Sequence, residues 1–232
     1  MATTVMARHK LRADDIFFPA MALLILGIVL TGFAKTYFLR GMILAKLPNH
    51  LVHIHGAVFV AWIFLLVTQA WLVPSHKVHW HMKLGALSLI LLPSMFILGI
   101  LTMFDFIRRA QPNEGPELFL VGDLEILLLF LVLTSWGLLA RRDAASHKRL
   151  MILGTMAIMG PAIGRWNLEI PVALGILFAL PLLVLAYDLF VLKRIHRTTA
   201  VANVLNAAWV FTVMPFSKLA FWHQVVGWIR HA

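Results

Sequence analysis

The chain contains no cysteine among its 232 residues. This absence excludes disulfides, thiolate metal sites, thioether-linked haem and cysteine-ligated iron–sulfur clusters. Any metal ion or haem iron would have to be held by His, Met, Asp or Glu side chains. The eleven histidines are therefore the first residues to consider as ligands.

Charged residues are also scarce, at 13% of the chain, whereas 61% of it is hydrophobic. A typical soluble domain has about 25% charged and about 45–50% apolar residues, so this composition predicts a polytopic membrane protein in contact with the lipid bilayer. Basic residues outnumber acidic ones by 20 to 10 and lie between the apolar runs, where they suit anionic lipid headgroups. No basic tail with interleaved aromatic residues is present, so a nucleic acid is not expected as a partner.

The apolar runs predict an all-α fold, a transmembrane bundle of about seven helices in one transmembrane domain that covers residues 1–232. The first run is longer than a signal-peptide core and is expected to be a retained span. The fifth is short and carries Gly160 and Gly164, whose spacing predicts a close approach between helices. The predicted spans cover residues 16–39, 52–73, 82–104, 117–140, 150–164, 170–192 and 198–214, with a C-terminal interfacial helix over 216–229.

Seven spans would place the two chain termini on opposite faces of the membrane. Twelve of the twenty Lys and Arg residues lie on the N-terminal side of this topology and eight on the other side. Because basic loops are retained in the cytoplasm, this bias favours a bacterial inner membrane location with a cytoplasmic N-terminus and a periplasmic C-terminus.

Six of the histidines lie between His50 and Gly85, three at each end of the apolar segment Ile54–Val73. This segment is long enough to cross a bilayer, so each mouth of the second span carries a histidine cluster. His55, Trp62 and Gln69 are seven residues apart and share one helix face. We expect this stripe to face protein, since a buried His or Gln side chain needs a hydrogen-bond partner.

At the inner mouth, the candidate cofactor-binding residues are His79, His81, His147 and His196, close to Asp188. A haem held between helices needs axial ligands from two helices at one depth. His81 or His79 from the third span can meet this condition together with His147, which opens the fifth. His79 and His81 lie about 200° apart on a helix, so only one of them is expected to reach the site.

At the outer mouth, the candidate metal ligands are His53, His55, Asp123 and Glu125, with Arg165 at a similar depth. Imidazole and carboxylate groups together suit iron, manganese or zinc. The members of each pair again lie about 200° apart on their helix, so one histidine and one acid are expected at such a site. Arg165 could instead be the structural partner of Asp123 or Glu125.

A structural interpretation stands beside these cofactor sites. Histidines at the headgroup level can be amphipathic anchors, in which case no cofactor binds. Asp188 is expected to form a structural ion pair with Lys193 or Arg194. No glycine-rich phosphate loop and no serine in a nucleophile setting identify an enzyme, so whether the protein is one stays open.

Several segments resemble a widespread bacterial family of small uncharacterised multi-span membrane proteins, and the match covers most of the chain. The HKRLM segment also resembles a motif of small membrane proteins associated with cytochrome oxidase assembly, and the helix layout is similar to that of haem-b membrane cytochromes. The segments that carry the family resemblance are GFAKTYFLR from Gly32, HIHGAVFVAW with Gln69, HMKLG from His81, RRDAASHKRLM from Arg141, and Asp188 to His196.

The histidines and the second resemblance together favour an integral inner-membrane protein that binds haem b or a divalent metal ion and acts in electron transfer or oxidase biogenesis. An alternative is a non-catalytic accessory subunit of a larger respiratory or photosynthetic complex, which would contact lipid, quinone or pigment. A small-solute transporter is a further alternative.

Overall fold

The computed structural model describes residues 12–39 and 49–231, apart from the side chain of Pro112. This part of the chain is helical and contains no strand, which confirms the all-α prediction. Two of the helices continue into a π-helical turn, over Ala34–Phe38 and over Asp188–Leu192. The helices are α1 (Ala13–Phe33), α2 (His50–Leu72), α3 (Val78–Gly85), α4 (Ser88–Arg109), α5 (Pro116–Leu139), α6 (Ala144–Ala157), α7 (Gly160–Gly164), α8 (Ile170–Tyr187), α9 (Arg197–Ser217) and α10 (Ala220–His231).

Within residues 12–39 and 49–231, six helical segments are long and apolar enough to cross a membrane, as an integral membrane protein requires. They are Ala13–Phe38, His50–Leu72, Val78–Arg109, Pro116–Leu139, Ile170–Leu192 and Arg197–Ser217. The chain runs back and forth between two ends of the bundle. We call them the Asp14 end (residues 12–14, 73–77, 140–143 and 193–196) and the Asp105 end (residues 49, 105–115, 165–169 and 218–219).

The predicted fifth span is a broken helix. It consists of α6 and α7, interrupted at Ile158 and Met159, and it carries the chain from the Asp14 end to the Asp105 end. Helix α6 begins at Ala144, six residues before the predicted start, because Asp143 caps it by accepting hydrogen bonds from the backbone N–H groups of Ala145 and Ser146. His147 therefore lies inside a helix.

Helix α6 occupies the centre of the bundle, where it packs against α1, α5, α8 and α9. Its closest neighbour is α5, and glycines allow the approach. A Cβ atom at Gly154 would lie 2.8 Å from Cγ2 of Thr134, and one at Gly137 would lie 3.0 Å from the Met151 sulfur. Leu150 and Leu153 are fully buried at this contact.

The predicted close approach at Gly160 and Gly164 is wrong, because a Cβ atom at either residue would have no neighbour within 4 Å among the residues that the structure describes. The close approach in this region comes from α1 instead. A Cβ atom at Gly32 would lie 2.8 Å from the carbonyl carbon of Ala162 in α7, and closer still to its oxygen. The backbones of α1 and α7 are in contact there, so no side chain can rotate to make room for a Cβ atom at Gly32.

The C-terminal helix α10 begins four residues later than predicted, because α9 continues through Ser217. It packs on α4 and α5 through Val226 and Ile229, which are buried. Arg108 donates a hydrogen bond to the Ile229 carbonyl at 3.2 Å. Phe221 and Trp228 remain exposed, as expected for a helix at the membrane interface.

We predict that Gly32→Ala destabilises the protein by about 1–3 kcal/mol, the usual cost of overpacking a tight contact. Gly27→Ala is the matched control in the same helix, since a Cβ atom there has no neighbour within 4 Å. It should leave stability unchanged or raise it slightly, because alanine is the better helix former. Thermal unfolding in detergent measures both variants. Equal melting temperatures would contradict the α1–α7 contact.

Candidate functional site

His81 and His147 lie together at the Asp14 end of the bundle. Their ring centres are 6.2 Å apart and the ring planes are nearly perpendicular, at 85°. His81 comes from α3 and His147 from the first turn of α6, and both side chains are partly buried. The structure thus brings imidazoles from two different helices to one depth.

Each ring is held by a main-chain carbonyl. Nδ1 of His147 lies 2.7 Å from the Gly137 oxygen, and Nδ1 of His81 lies 3.3 Å from the Gln69 oxygen. Because a carbonyl oxygen only accepts, Nδ1 of each histidine must carry the hydrogen. Nε2 of each neutral ring then keeps its lone pair, and neither Nε2 has a hydrogen-bond partner among the residues that the structure describes. Metal-binding histidines are usually oriented in this way.

The first turn of α6 explains how His147 reaches this position. Successive helix residues point about 100° apart, so His147, Lys148 and Arg149 face three different neighbours. His147 turns to α5, Lys148 to α1 and Arg149 to α8. At the start of this turn, hydrogen bonds from the Ser146 hydroxyl and backbone N–H hold the pKa of Asp143 below its usual value.

Arg149 and Asp188 form a buried ion pair, with side chains 1% and 0% exposed. Nη2 of Arg149 lies 2.5 Å and Nε lies 2.9 Å from Oδ1 of Asp188. The second carboxylate oxygen accepts from the Thr199 hydroxyl at 2.5 Å and from the His196 backbone N–H at 3.1 Å. Arg149 also donates to the Ala145 carbonyl. Charge and hydrogen bonds are thereby satisfied, as a buried pair requires.

The predicted pairing of Asp188 with Lys193 or Arg194 is therefore wrong. Both basic residues are exposed after the π-helical turn, and Lys193 adopts a left-handed backbone conformation with a φ of 56°. The carboxylate points into the bundle instead, toward Arg149 of α6. Lys193 and Arg194 are exposed, whereas the Asp188 side chain is fully buried.

A second ion pair lies beside the first and joins α1 to α6. Lys148 is 2.5 Å from Asp14, which also accepts a hydrogen bond from the Tyr187 hydroxyl at 2.6 Å. The Tyr187 ring stacks on Phe17 at 4.0 Å between ring centres. The Lys148 ammonium group lies 4.8 Å from the centre of the Phe18 ring, within cation–π range.

The two other predicted cofactor ligands do not join the His81–His147 pair. His79 is exposed and its ring faces that of Trp80. His196 caps α9, where its Nδ1 accepts from the Thr198 backbone N–H and lies 2.8 Å from the Thr198 hydroxyl oxygen. Burial, followed by the charge of Arg149, lowers the pKa of His196. As expected, only one of His79 and His81 points to the site.

The predicted outer site is less well assembled. His53 is exposed, whereas His55 stacks on Phe59 and its Nδ1 lies 3.2 Å from the Thr102 hydroxyl. Asp123 lies near Arg165, and burial lowers the pKa of Arg165 while the charge of Asp123 opposes this shift. Glu125 instead accepts a hydrogen bond from Thr212 at 3.2 Å. Over residues 12–39 and 49–231, no three His, Asp or Glu side chains are grouped so as to hold a metal ion.

The stripe on α2 faces protein, as predicted. Trp62 is 1% exposed and donates a hydrogen bond to the Thr155 hydroxyl of α6 at 3.1 Å. Its ring packs edge-on against Phe130 of α5. The side-chain nitrogen of Gln69 is buried as well, but it has no hydrogen-bond partner in the part of the chain that the structure describes.

Sequence reasoning missed Arg149, Thr199 and Asp14. Arg149 directly precedes the apolar run at Leu150, so the sequence pattern places it in a basic loop. The sequence does contain a signal for Arg149, since a charged residue at the edge of a span often pairs with an opposite charge inside another span. Asp188 was the acid to pair it with.

Comparisons with known proteins found no similar protein. The chain matches no family model, and no curated protein or solved structure proves similar to it. The site is therefore interpreted from its own geometry.

We predict that Asp188→Leu or Arg149→Met alone destabilises the protein by about 3–5 kcal/mol, because each leaves a buried charge without a partner. The double variant Arg149→Met/Asp188→Leu should recover most of this loss. The matched control is Arg109→Ala, which breaks an ion pair with Asp105 that is 48% exposed on the arginine side and should cost at most about 1 kcal/mol. Thermal unfolding in detergent gives all four values. Additive losses in the double variant would contradict the pairing.

Proposed function

We propose that this protein is an integral membrane protein that binds haem b between His81 and His147 and acts in electron transfer or in the biogenesis of a haem-containing oxidase. The proposal rests on the paired imidazoles, whose Nδ1–H groups are anchored on α2 and α5. Their Nε2 atoms are the ones left to bind iron. The resemblance of the HKRLM segment to oxidase-assembly proteins supports the same function.

Haem fits this donor set better than a bare metal ion. Zinc sites in proteins use three or four protein ligands, whereas haem iron needs only one or two because the porphyrin supplies the others. An imidazole nitrogen lies about 2 Å from a bound metal, so two imidazoles could hold one iron with their ring centres about 6 Å apart. The observed separation of 6.2 Å agrees with this value.

Two groups of residues have distinct roles in this proposal. His81 and His147 would hold the iron, and the carbonyls of Gln69 and Gly137 fix their ring orientation. Haem bound in this way supplies one-electron transfer. With both histidines as ligands, the haem would serve electron transfer rather than chemistry on a bound substrate.

The end of the bundle that carries the histidine pair also carries exposed basic residues. The two loops beside the pair contain Lys77, Arg141 and Arg142, all exposed. We propose that this end faces the bacterial cytoplasm, as the distribution of Lys and Arg favours, and that the C-terminus is periplasmic. A single haem at this depth would exchange electrons with a partner on the same side.

We predict that the purified protein shows a Soret band that shifts on reduction with dithionite. His81→Ala and His147→Ala should each lower the bound haem at least tenfold, because each removes an axial ligand. The matched control is His79→Ala in the same helix as His81, which removes an exposed ring and should leave the spectrum unchanged. Absorption spectra and haem extraction measure these effects.

The contrary outcome would be a protein that stays colourless after expression with excess haem. This would remove the haem proposal and favour the accessory subunit. Retention of haem in the His147→Ala variant would show that binding occurs elsewhere.

A further inference from the structure

We infer that Gln69 is a third residue of the haem site and donates a hydrogen bond from its side-chain nitrogen to a carboxylate of the bound porphyrin. This inference rests on the proposed function and goes beyond it, because it assigns a ligand-facing role to a residue outside the histidine pair. The observations that carry it are the depth, direction and missing partner of this side chain.

The depth follows from the register between α2 and α6. These helices run in opposite directions, and the hydrogen bond between Trp62 and Thr155 places these two residues at one level. Seven residues further toward the Asp14 end, a distance of about 10 Å, the residue on α2 is Gln69 and the residue on α6 is Lys148. Gln69 is therefore level with the neighbouring His147.

The direction follows from the helix face. Gln69 is seven residues beyond Trp62 and points the same way, and Trp62 faces α5 and α6. The Gln69 side chain also reaches the face of α3 that carries His81 and Gly85, which are four residues apart. A Cβ atom at Gly85 would lie 3.6 Å from Oε1 of Gln69. The carboxamide thus lies beside α3, on the face of α2 that is turned toward α6.

The missing partner indicates a ligand. The Gln69 nitrogen is buried without a hydrogen-bond partner among residues 12–39 and 49–231, and such a donor destabilises the protein unless something accepts from it. Its own main-chain carbonyl already orients His81. A haem held by the histidine pair would bring carboxylates as candidate acceptors, and a carboxylate is the stronger kind of acceptor.

The test compares haem b with its dimethyl ester, in which both carboxylates are esterified. Wild-type protein should bind haem b at least tenfold more tightly than the ester. Gln69→Leu should weaken binding of haem b roughly tenfold, and bring its affinity close to that of the ester. The matched control is Gln224→Leu on α10, where the glutamine is exposed, and it should behave as wild type.

A second readout separates this role from a purely structural one. Gln69→Leu removes a buried donor that has no partner, so the haem-free protein should melt at the same temperature as wild type or higher. A lower melting temperature without haem would overturn the inference, as would an unchanged ratio of the two affinities. If wild-type protein binds neither porphyrin, the proposed function and this inference both fail. If it binds both and Gln69→Leu keeps the wild-type ratio, only the inference fails.

Discussion

The buried ion pair between Arg149 and Asp188 is the interaction on which the arrangement of the bundle depends. Within a membrane, an isolated charge is costly to bury, so each of these side chains requires the other in place. The pair joins α6 to the end of α8, and Thr199 extends it to α9. Three helices are therefore tied at a single level. Since apolar side chains have little preference for one another over lipid, such polar contacts give the bundle its specificity.

The same helix turn connects this structural pair to the candidate site. Arg149, Lys148 and His147 follow one another at the start of α6, and each contacts a different part of the bundle. Once the arginine is held by Asp188 and the lysine by Asp14, the rotation of α6 about its axis is set. His147 then has one direction left, toward α5 and the ring of His81. The two ion pairs thus determine the direction in which the His147 imidazole points.

Close packing maintains the depth at which the two imidazoles meet. Glycines bring α5 against α6 at Gly137 and Gly154, and α1 against α7 at Gly32. The hydrogen bond from Trp62 to Thr155 fixes the register between α2 and α6. Helices that fit at van der Waals distance cannot slide without clashes. A site assembled from side chains on separate helices needs this rigidity, because a shift of one ångström would separate its ligands.

The sequence by itself determined the helical class, the apolar spans, the inward stripe on α2 and the pairing of His147 with either His79 or His81, because span length, helix periodicity and helix-start position are local properties. Only the tertiary structure decided that Arg149, and not a neighbour in sequence, pairs with Asp188. It also decided that Gly32 and not Gly160 makes the tight contact, and that the Gln69 nitrogen is buried without a partner in the part of the chain that the structure describes. These features depend on how each helix is rotated and how far it is shifted against the others. Rotation and shift follow from the sum of many contacts between distant segments, which no local pattern encodes.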